Sequence, residues 1–416
     1  HVVNSGAMIA GDSPKVVGTC LVSGAKGLIA RTHHDTRIGK DAKKLVGFQE
    51  NCGYDSYGKS QAYNAPVCVN SEFAYTTALN TLLGKESKQK LQVGDATTVF
   101  WSEKADPLEE NFGSFLDDPP PNNPDQLTEA VAALYRSVET GVLAGDPNNT
   151  RFYVLGLSPN VARISVRFWH VGTVSEMETN FRQYFEDLRI IHHPEYKDDL
   201  PIRSLLRALV RKPQDVREWD KKIPPNVAGE TMRCILAGLP FPETLLQAAI
   251  LRIKAERDVT YPRAKLIKGC LNRKLRQSNT NTERSLTVSL DKENTNPGYR
   301  LGRLFATLEL CQKKAQPGGK DMKTIRDRFY SSASSSPVSV FANLMRLNKH
   351  HLAKMSGGCR KYFSDLIGEI LYKDKESSGL TSFPAHLSLN DQGQFAIGYY
   401  HQMQDVCNRK PDKENA

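Results

Sequence analysis

Beyond Val174 the chain carries apolar residues at three- and four-residue spacing almost to its end, and no other property narrows the fold as much. Candidate helices fall near 175–190, 201–211, 227–237, 242–257, 262–276, 297–314, 320–330, 337–353, 358–371 and 390–406. The first 174 residues read differently. Residues 15–22 and 97–101 have strand character, 71–83 looks helical, and 31–64, rich in Gly, Lys, His, Asn and Tyr, reads mostly as loop. The run DDPPPNNPD (117–125) breaks the chain before a helix at 126–143. Strands at 151–157 and 162–169 then flank a turn at Ser158, Pro159 and Asn160. The expected class is α+β: a mixed α/β part over 1–174, a basic helical region over 175–284 and an all-helical bundle over 285–416. QSNTNTER (277–284) is the expected linker, and the tail NRKPDKENA is expected to be disordered.

The 416 residues, 39% hydrophobic and 25% charged, are enough for two or three packed cores of ordinary globular composition. No apolar run approaches the roughly 20 residues of a membrane span. The opening HVVNSGAMIAGDSPKVVG lacks the basic and apolar regions of a secretory signal. Cysteines 20, 52, 68, 234, 270, 311, 359 and 407 are scattered, so reduced thiols and a cytoplasmic location are expected, with no membrane association and no cofactor.

The net charge of +10 is unevenly spread. Residues 201–278 hold 17 Lys and Arg against 7 Asp and Glu, whereas 101–150 hold 10 acids and 2 bases. Such asymmetry points to one surface that faces a polyanion. The densest part is 252–276, with nine bases, where Pro262 suits the first turn of an amphipathic helix. Ala264, Ile267 and Leu271 would face a core, while Lys265, Lys268, Asn272 and Arg276 share another face. With Arg252, Lys254, Arg263 and Arg273 nearby, that face could follow a phosphate backbone. It could equally be a solvated helix face.

Catalytic motifs are lacking in the sequence. The histidine pairs at 33/34, 192/193 and 350/351 sit in no HExxH, and adjacent helical side chains diverge too far to share one ion. Cys20, His33 and Cys52 could converge on zinc, though their spacing does not demand it. There is no GxSxG elbow, GAKG (24–27) is too short for a phosphate loop, and the serines before Pro337 read as a cap. Phe395, Tyr399 and Tyr400 read as core.

Four stretches in the last third appear in a distinctive order: DKENTNPGYRLGRLFATLE (291–309), TIRDRFYSSASSSPVSVF (324–341), LNKHHLAK (347–354) and FPAHLSLNDQGQFAIGYYHQ (383–402). Upstream lie SYGKSQAYNAPV (56–67), VLGLSPNVARISVRFW (154–169) and AILRIKAERDVTYPRAKLIKGCLNR (249–273). Together these resemble the large subunit of the type I-C CRISPR effector complex, Cascade. The resemblance implies a non-catalytic protein whose C-terminal bundle is similar to the Cascade small subunit. It implies help in recognising the protospacer-adjacent motif (PAM), opening target DNA, stabilising the R-loop and recruiting the helicase–nuclease. Implied partners are CRISPR RNA, target double-stranded DNA, the backbone, 5′-handle and small subunits, and that helicase–nuclease. Because the chain opens on His1, and relatives carry a region ahead of CLVSG (20–24), the sequence is expected to be part of a longer protein.

Two groups of residues take roles on this view. Lys40, Lys43, Lys44, Lys59 and Asn64, set among glycines with Tyr54, Tyr57 and Tyr63, form the candidate PAM and duplex loop, since glycines admit a close backbone and lysines hold phosphates. A mobile surface loop is the plainer reading. In the bundle, Arg326, Arg328, Arg346 and Lys349 would line a groove for a DNA strand beside Tyr330. Arg326 and Arg328 could instead pair with Asp321 and Asp327. Rival functions are a nuclease or RNA-processing enzyme, and a pure protein–protein scaffold.

Overall fold

The computed structural model describes residues 16–139, 150–161, 163–278, 284–316, 322–372, 380 and 382–408. The end of the helix expected to reach 143, most of the 277–284 linker and the tail after Asn408 lie outside the described residues. The class is mixed α/β in the N-terminal half and mostly helical after it. No helix among the described residues is long and apolar enough to cross a membrane.

The chain forms two compact units, one of His1–Lys90, Thr97–Phe100 and Leu155–Arg167, the other of Leu91–Ala96, Trp101–Val154 and Phe168–Ala416. These borders do not follow the sequence division at 174 and 284. A four-stranded sheet, in order β5 (Lys90–Val93), β6 (Ala96–Ser102), β7 (Arg151–Pro159) and β8 (Ile164–Thr173), contributes strand segments to each unit.

In the first unit, β1 (Val17–Thr19) pairs antiparallel with β2 (Lys26–Leu28), and β3 (Thr36–Ile38) with β4 (Asp41–Lys43). The second hairpin lies inside the stretch expected to be loop. Its strands are three residues each, too short for a visible alternation, and Gly39 supplies the positive φ of 61° that its two-residue turn requires. Helix α1 (Val69–Leu82) follows, with Thr76 and Leu79 buried on one side.

In the second unit, local signals set the helix starts. Asp106 caps α2 (Pro107–Leu116) by accepting from the Leu108 amide, with Pro107 at the first helical position. Helix α3 is Gln126–Glu139. Thr173 and Glu176 form a reciprocal capping box that opens α4 (Val174–Leu188). Phe112 then packs on Phe152 and Phe181 at 5.1 and 5.5 Å between ring centres, and Phe115 on Phe181 and Phe185, so α2, β7 and α4 share an aromatic core.

The remaining helices are α5 (Ile202–Arg207), α6 (Trp219–Lys222), α7 (Pro225–Leu236), α8 (Glu243–Glu256), α9 (Tyr261–Gln277), α10 (Pro297–Ala315), α11 (Ile325–Ser335), α12 (Phe341–Ala353), α13 (Gly357–Leu371) and α14 (Leu389–Asn408). At the centre α10 and α14 run in backbone contact. A Cβ at Gly302 would collide with the Phe395 carbonyl, one at Gly298 with that of Asp391, and one at Gly398 with that of Tyr299. Only glycine allows this approach. Phe305 packs among Tyr330, Phe341, Phe395 and Tyr399. Phe395, Tyr399 and Tyr400 are buried, as their spacing predicts.

Candidate nucleic-acid interface

Helix α9 carries the basic face expected to meet a phosphate backbone, and the structure turns that face inward. Lys265 is 1% exposed, Lys268 3% and Arg273 1%, with Asn272 and Arg263 also buried. Their partners explain why. The last carbonyls of α4 have no partner within their own helix. Lys268 donates to the Asp187 carbonyl at 3.2 Å, and Lys265 to the Leu188 carbonyl at 3.3 Å and the Asp198 carbonyl at 2.5 Å. Both cations thus sit at the negative end of the α4 dipole. Arg273 bonds the buried Asp187 carboxylate at 2.8 Å, and Arg276 pairs with its other oxygen. Burial pushes the Lys265 and Lys268 ammoniums down to about 8.

Most other polar side chains of this segment are engaged too, with Arg257 an exposed exception. Asn272 exchanges two hydrogen bonds with the Leu286 backbone, at 2.9 and 2.7 Å. Arg263 donates to the Ala208 and Asp258 carbonyls and pairs with Glu256, which also holds Arg252. Lys254 donates to Gln392 at 2.8 Å. The expectation of an exposed stripe at Lys265, Lys268, Asn272 and Arg276 is corrected. Only Arg276 keeps substantial exposure, and the stripe is an internal clamp on the end of α4.

The uneven charge partly cancels inside the second unit. Asp117 and Asp118, at the start of the DDPPPNNPD breaker, bind Arg203 and Arg207 of α5 at 2.7 and 2.8 Å, and Asp220 joins both arginines. Lys197 pairs with Asp125 at 2.9 Å. Asp117 and Asp118 therefore neutralise part of the basic run, while Asp125 pairs with a lysine outside it.

The bundle residues separate into two kinds. Arg326 pairs with Asp258 at 3.1 Å and lies 3.9 Å from the buried Glu309, while Asp327 serves the Thr324 capping box and Asp321 lies outside the described residues. Arg328 on α11, and Arg346 and Lys349 on α12, are exposed, with Arg346 donating to Asn343 one turn back. Arg346 and Lys349 rim a groove of about 390 Å³ between α12 and α13, floored by Met345, Leu352 and Ile367. Tyr330 is buried in the core and cannot offer a ring to a base.

In the first unit, Lys40 occupies the β3–β4 turn and Lys59 an exposed irregular stretch between two 3-10 turns. Lys43 donates to the Asn160 carbonyl at 2.8 Å, and Lys44 pairs with Asp35 at 3.1 Å. The Asn64 amide donates to the Lys59 and Gln61 carbonyls and fixes the local turn. Of the five candidates here, Lys40 and Lys59 point outward.

No group of three or more His, Cys, Asp or Glu with metal-site geometry occurs among the described residues. His33 bonds the Tyr75 hydroxyl and His34 the Glu72 carboxylate, Cys52 is exposed, and Cys20 meets Cys68 instead. A feature absent from the sequence reading is an aromatic triad on the sheet of the second unit. Trp101 lies 5.2 Å from Tyr153 and 5.7 Å from Trp169, which is 48% exposed. The signal was present as one aromatic on each of three neighbouring strands, but register across the sheet is needed to bring them together.

A family model described as CRISPR-associated protein (Cas_Csd1) matches residues 5–407. No curated protein matches the chain.

Proposed function

The chain belongs to the Cas_Csd1 family of CRISPR-associated proteins, and on that premise we propose that it is the non-catalytic large subunit of a type I-C RNA-guided surveillance complex. The family match along nearly the whole chain is the observation that carries this reading. In this role the subunit helps recognise the PAM, opens the duplex, stabilises the R-loop and recruits the helicase–nuclease, while base pairing with CRISPR RNA reads the sequence. Its partners are CRISPR RNA, target DNA and the backbone, 5′-handle and small subunits. Exposure favours Lys40 and Lys59 in the first unit, and Arg328, Arg346 and Lys349 in the second, as phosphate contacts.

The test is binding of the reconstituted complex, with and without this subunit, to duplexes bearing a correct or scrambled PAM across a salt series. PAM-dependent binding with a steep salt slope only when the subunit is present supports the reading. Equal binding with and without it overturns the DNA role. One observation favours a scaffold as the second reading: the densest basic segment is spent on internal contacts. A scaffold predicts that assembly fails without the subunit while charge reversal at exposed bases leaves DNA affinity unchanged.

A further inference from the structure

Cys20 follows β1 directly and lies at the N-terminus of α1, whose cap residue is Cys68. The Cys68 amide donates to Cys20 Sγ at 3.2 Å, and Ser71 Oγ lies 3.6 Å from the same sulfur. The surrounding backbone fixes this approach. The Leu21 amide bonds the Pro66 carbonyl and the Ala30 amide the Val67 carbonyl, each at 2.9 Å, and Ile29 bridges to Cys68. The amide that bonds the Cys20 sulfur belongs to Cys68 itself, so the two cysteines are neighbours across a chain separation of 48 residues. An anion at this place is stabilised by amide hydrogens and the helix dipole. The Cys68 amide first, then the Ser23 hydroxyl, hold the Cys20 thiol down to about 5, while burial pushes the Cys68 thiol up. The two thiols therefore differ in acidity, with Cys20 the more acidic.

We propose that Cys20 and Cys68 are a redox-active pair, with Cys20 the attacking thiolate toward hydrogen peroxide and Cys68 the resolving thiol. In the first step the Cys20 sulfur attacks one peroxide oxygen, the O–O bond breaks, and hydroxide leaves and takes a proton to become water. Cys20 is then a sulfenic acid. In the second step Cys68 loses its proton and attacks the Cys20 sulfur, and the hydroxide expelled takes that proton to give a second water. Two thiols are oxidised to one disulfide and one peroxide is reduced to two waters. Cys20 is 1% exposed and Cys68 half-buried, which suits a small oxidant. The bond would enclose Lys40, Lys43, Lys44, Lys59 and Asn64 in one covalent loop, and a dithiol would reopen it.

The full-length protein is treated with hydrogen peroxide, remaining thiols are alkylated, and tryptic peptides are mapped by mass spectrometry. The expected product joins peptides 16–26 and 60–85, and dithiothreitol reverses it. In Cys68→Ser, dimedone traps a sulfenic acid on Cys20. There, the rate of Cys20 loss changes less than about twofold between pH 8 and pH 6, whereas an ordinary thiol slows about 100-fold. Recovery of both thiols alkylated while exposed Cys52 and Cys407 oxidise overturns the proposal. So does a 100-fold slowing. The unmodified chain provides the cross-link result even where a variant fails to fold.

Discussion

Helices α9 and α12 look alike in sequence and are opposite in the fold. Both carry bases at helical spacing beside an apolar stripe. In α9 the apolar residues Tyr261, Ala264, Leu266, Ile267, Cys270 and Leu271 spread over more than half of the circumference, at 100° per residue. Neighbouring elements cover that whole arc, and the bases beside it find partners inside. They find the carbonyl end of α4 and the Asp187 carboxylate. In α12 the buried residues are Phe341, Leu344 and Asn348, a narrow stripe, which leaves Arg346 and Lys349 in solvent. Apolar residues reach about as far around α12, so the width of the buried arc, set by what packs on each helix, separates the internal clamp from the exposed bases.

The sharpest way to break this comparison is Asp187→Ala. It leaves the Arg273 guanidinium buried without its carboxylate, and loss of a buried partner costs about 3–5 kcal/mol. Urea denaturation reads the loss, and adding Arg273→Met should recover much of it. A loss under about 1 kcal/mol would mean that α9 is not clamped in this way.

The lysines of α9 give the next largest effect, read as a pH dependence. Burial lowers both from 10.5 to about 8. Below pH 8 the folded and unfolded chains both hold these protons, so they add no slope. Between 8 and 10.5 only the unfolded chain holds them, and stability rises with pH by about 3 kcal/mol for each lysine. Comparing denaturation curves of the unmodified protein and of Lys265→Met with Lys268→Met isolates this rise. Equal slopes in the two proteins would place the lysines in water.

Much of the helical half was legible because its signals are local. The cap Asn296 before Pro297 marks a start at the expected residue, and the Thr324–Asp327 capping box one five residues later than expected. The β3–β4 hairpin escaped because three-residue strands show no alternation. Close contact of α10 and α14 escaped because the need for Gly298, Gly302 and Gly398 exists only once the two helices meet. The candidate site was less legible still. Asp187 is 86 residues from Arg273 along the chain, and Asp117 and Arg203 are equally far apart, so charge counted along the sequence could not show that these groups cancel.

The comparison also predicts where charge changes alter binding without altering stability. Arg346→Glu with Lys349→Glu should leave the unfolding free energy within about 0.5 kcal/mol, as exposed substitutions do. DNA affinity of the assembled complex should fall about tenfold, and the slope of log affinity against log salt should lose roughly 0.7–0.9 for each phosphate contact removed. An unchanged slope would assign the groove of α12 and α13 to protein contacts.

Lys40→Glu with Lys59→Glu should give the smallest change, about threefold in affinity. Lys40 stands on the β3–β4 turn and Lys59 on an exposed irregular stretch, and neither side chain holds another element in place. Discrimination between correct and scrambled PAM duplexes, read by competition at fixed salt, tells what kind of contact they make. Phosphate contacts carry no sequence information, so affinities for the two duplexes should fall together. A loss confined to the correct PAM would instead place these residues at base edges, where one bidentate contact is worth about 1–3 kcal/mol of discrimination. The hairpin would then be the reader itself, and the exposed bases of α12 would contribute only grip.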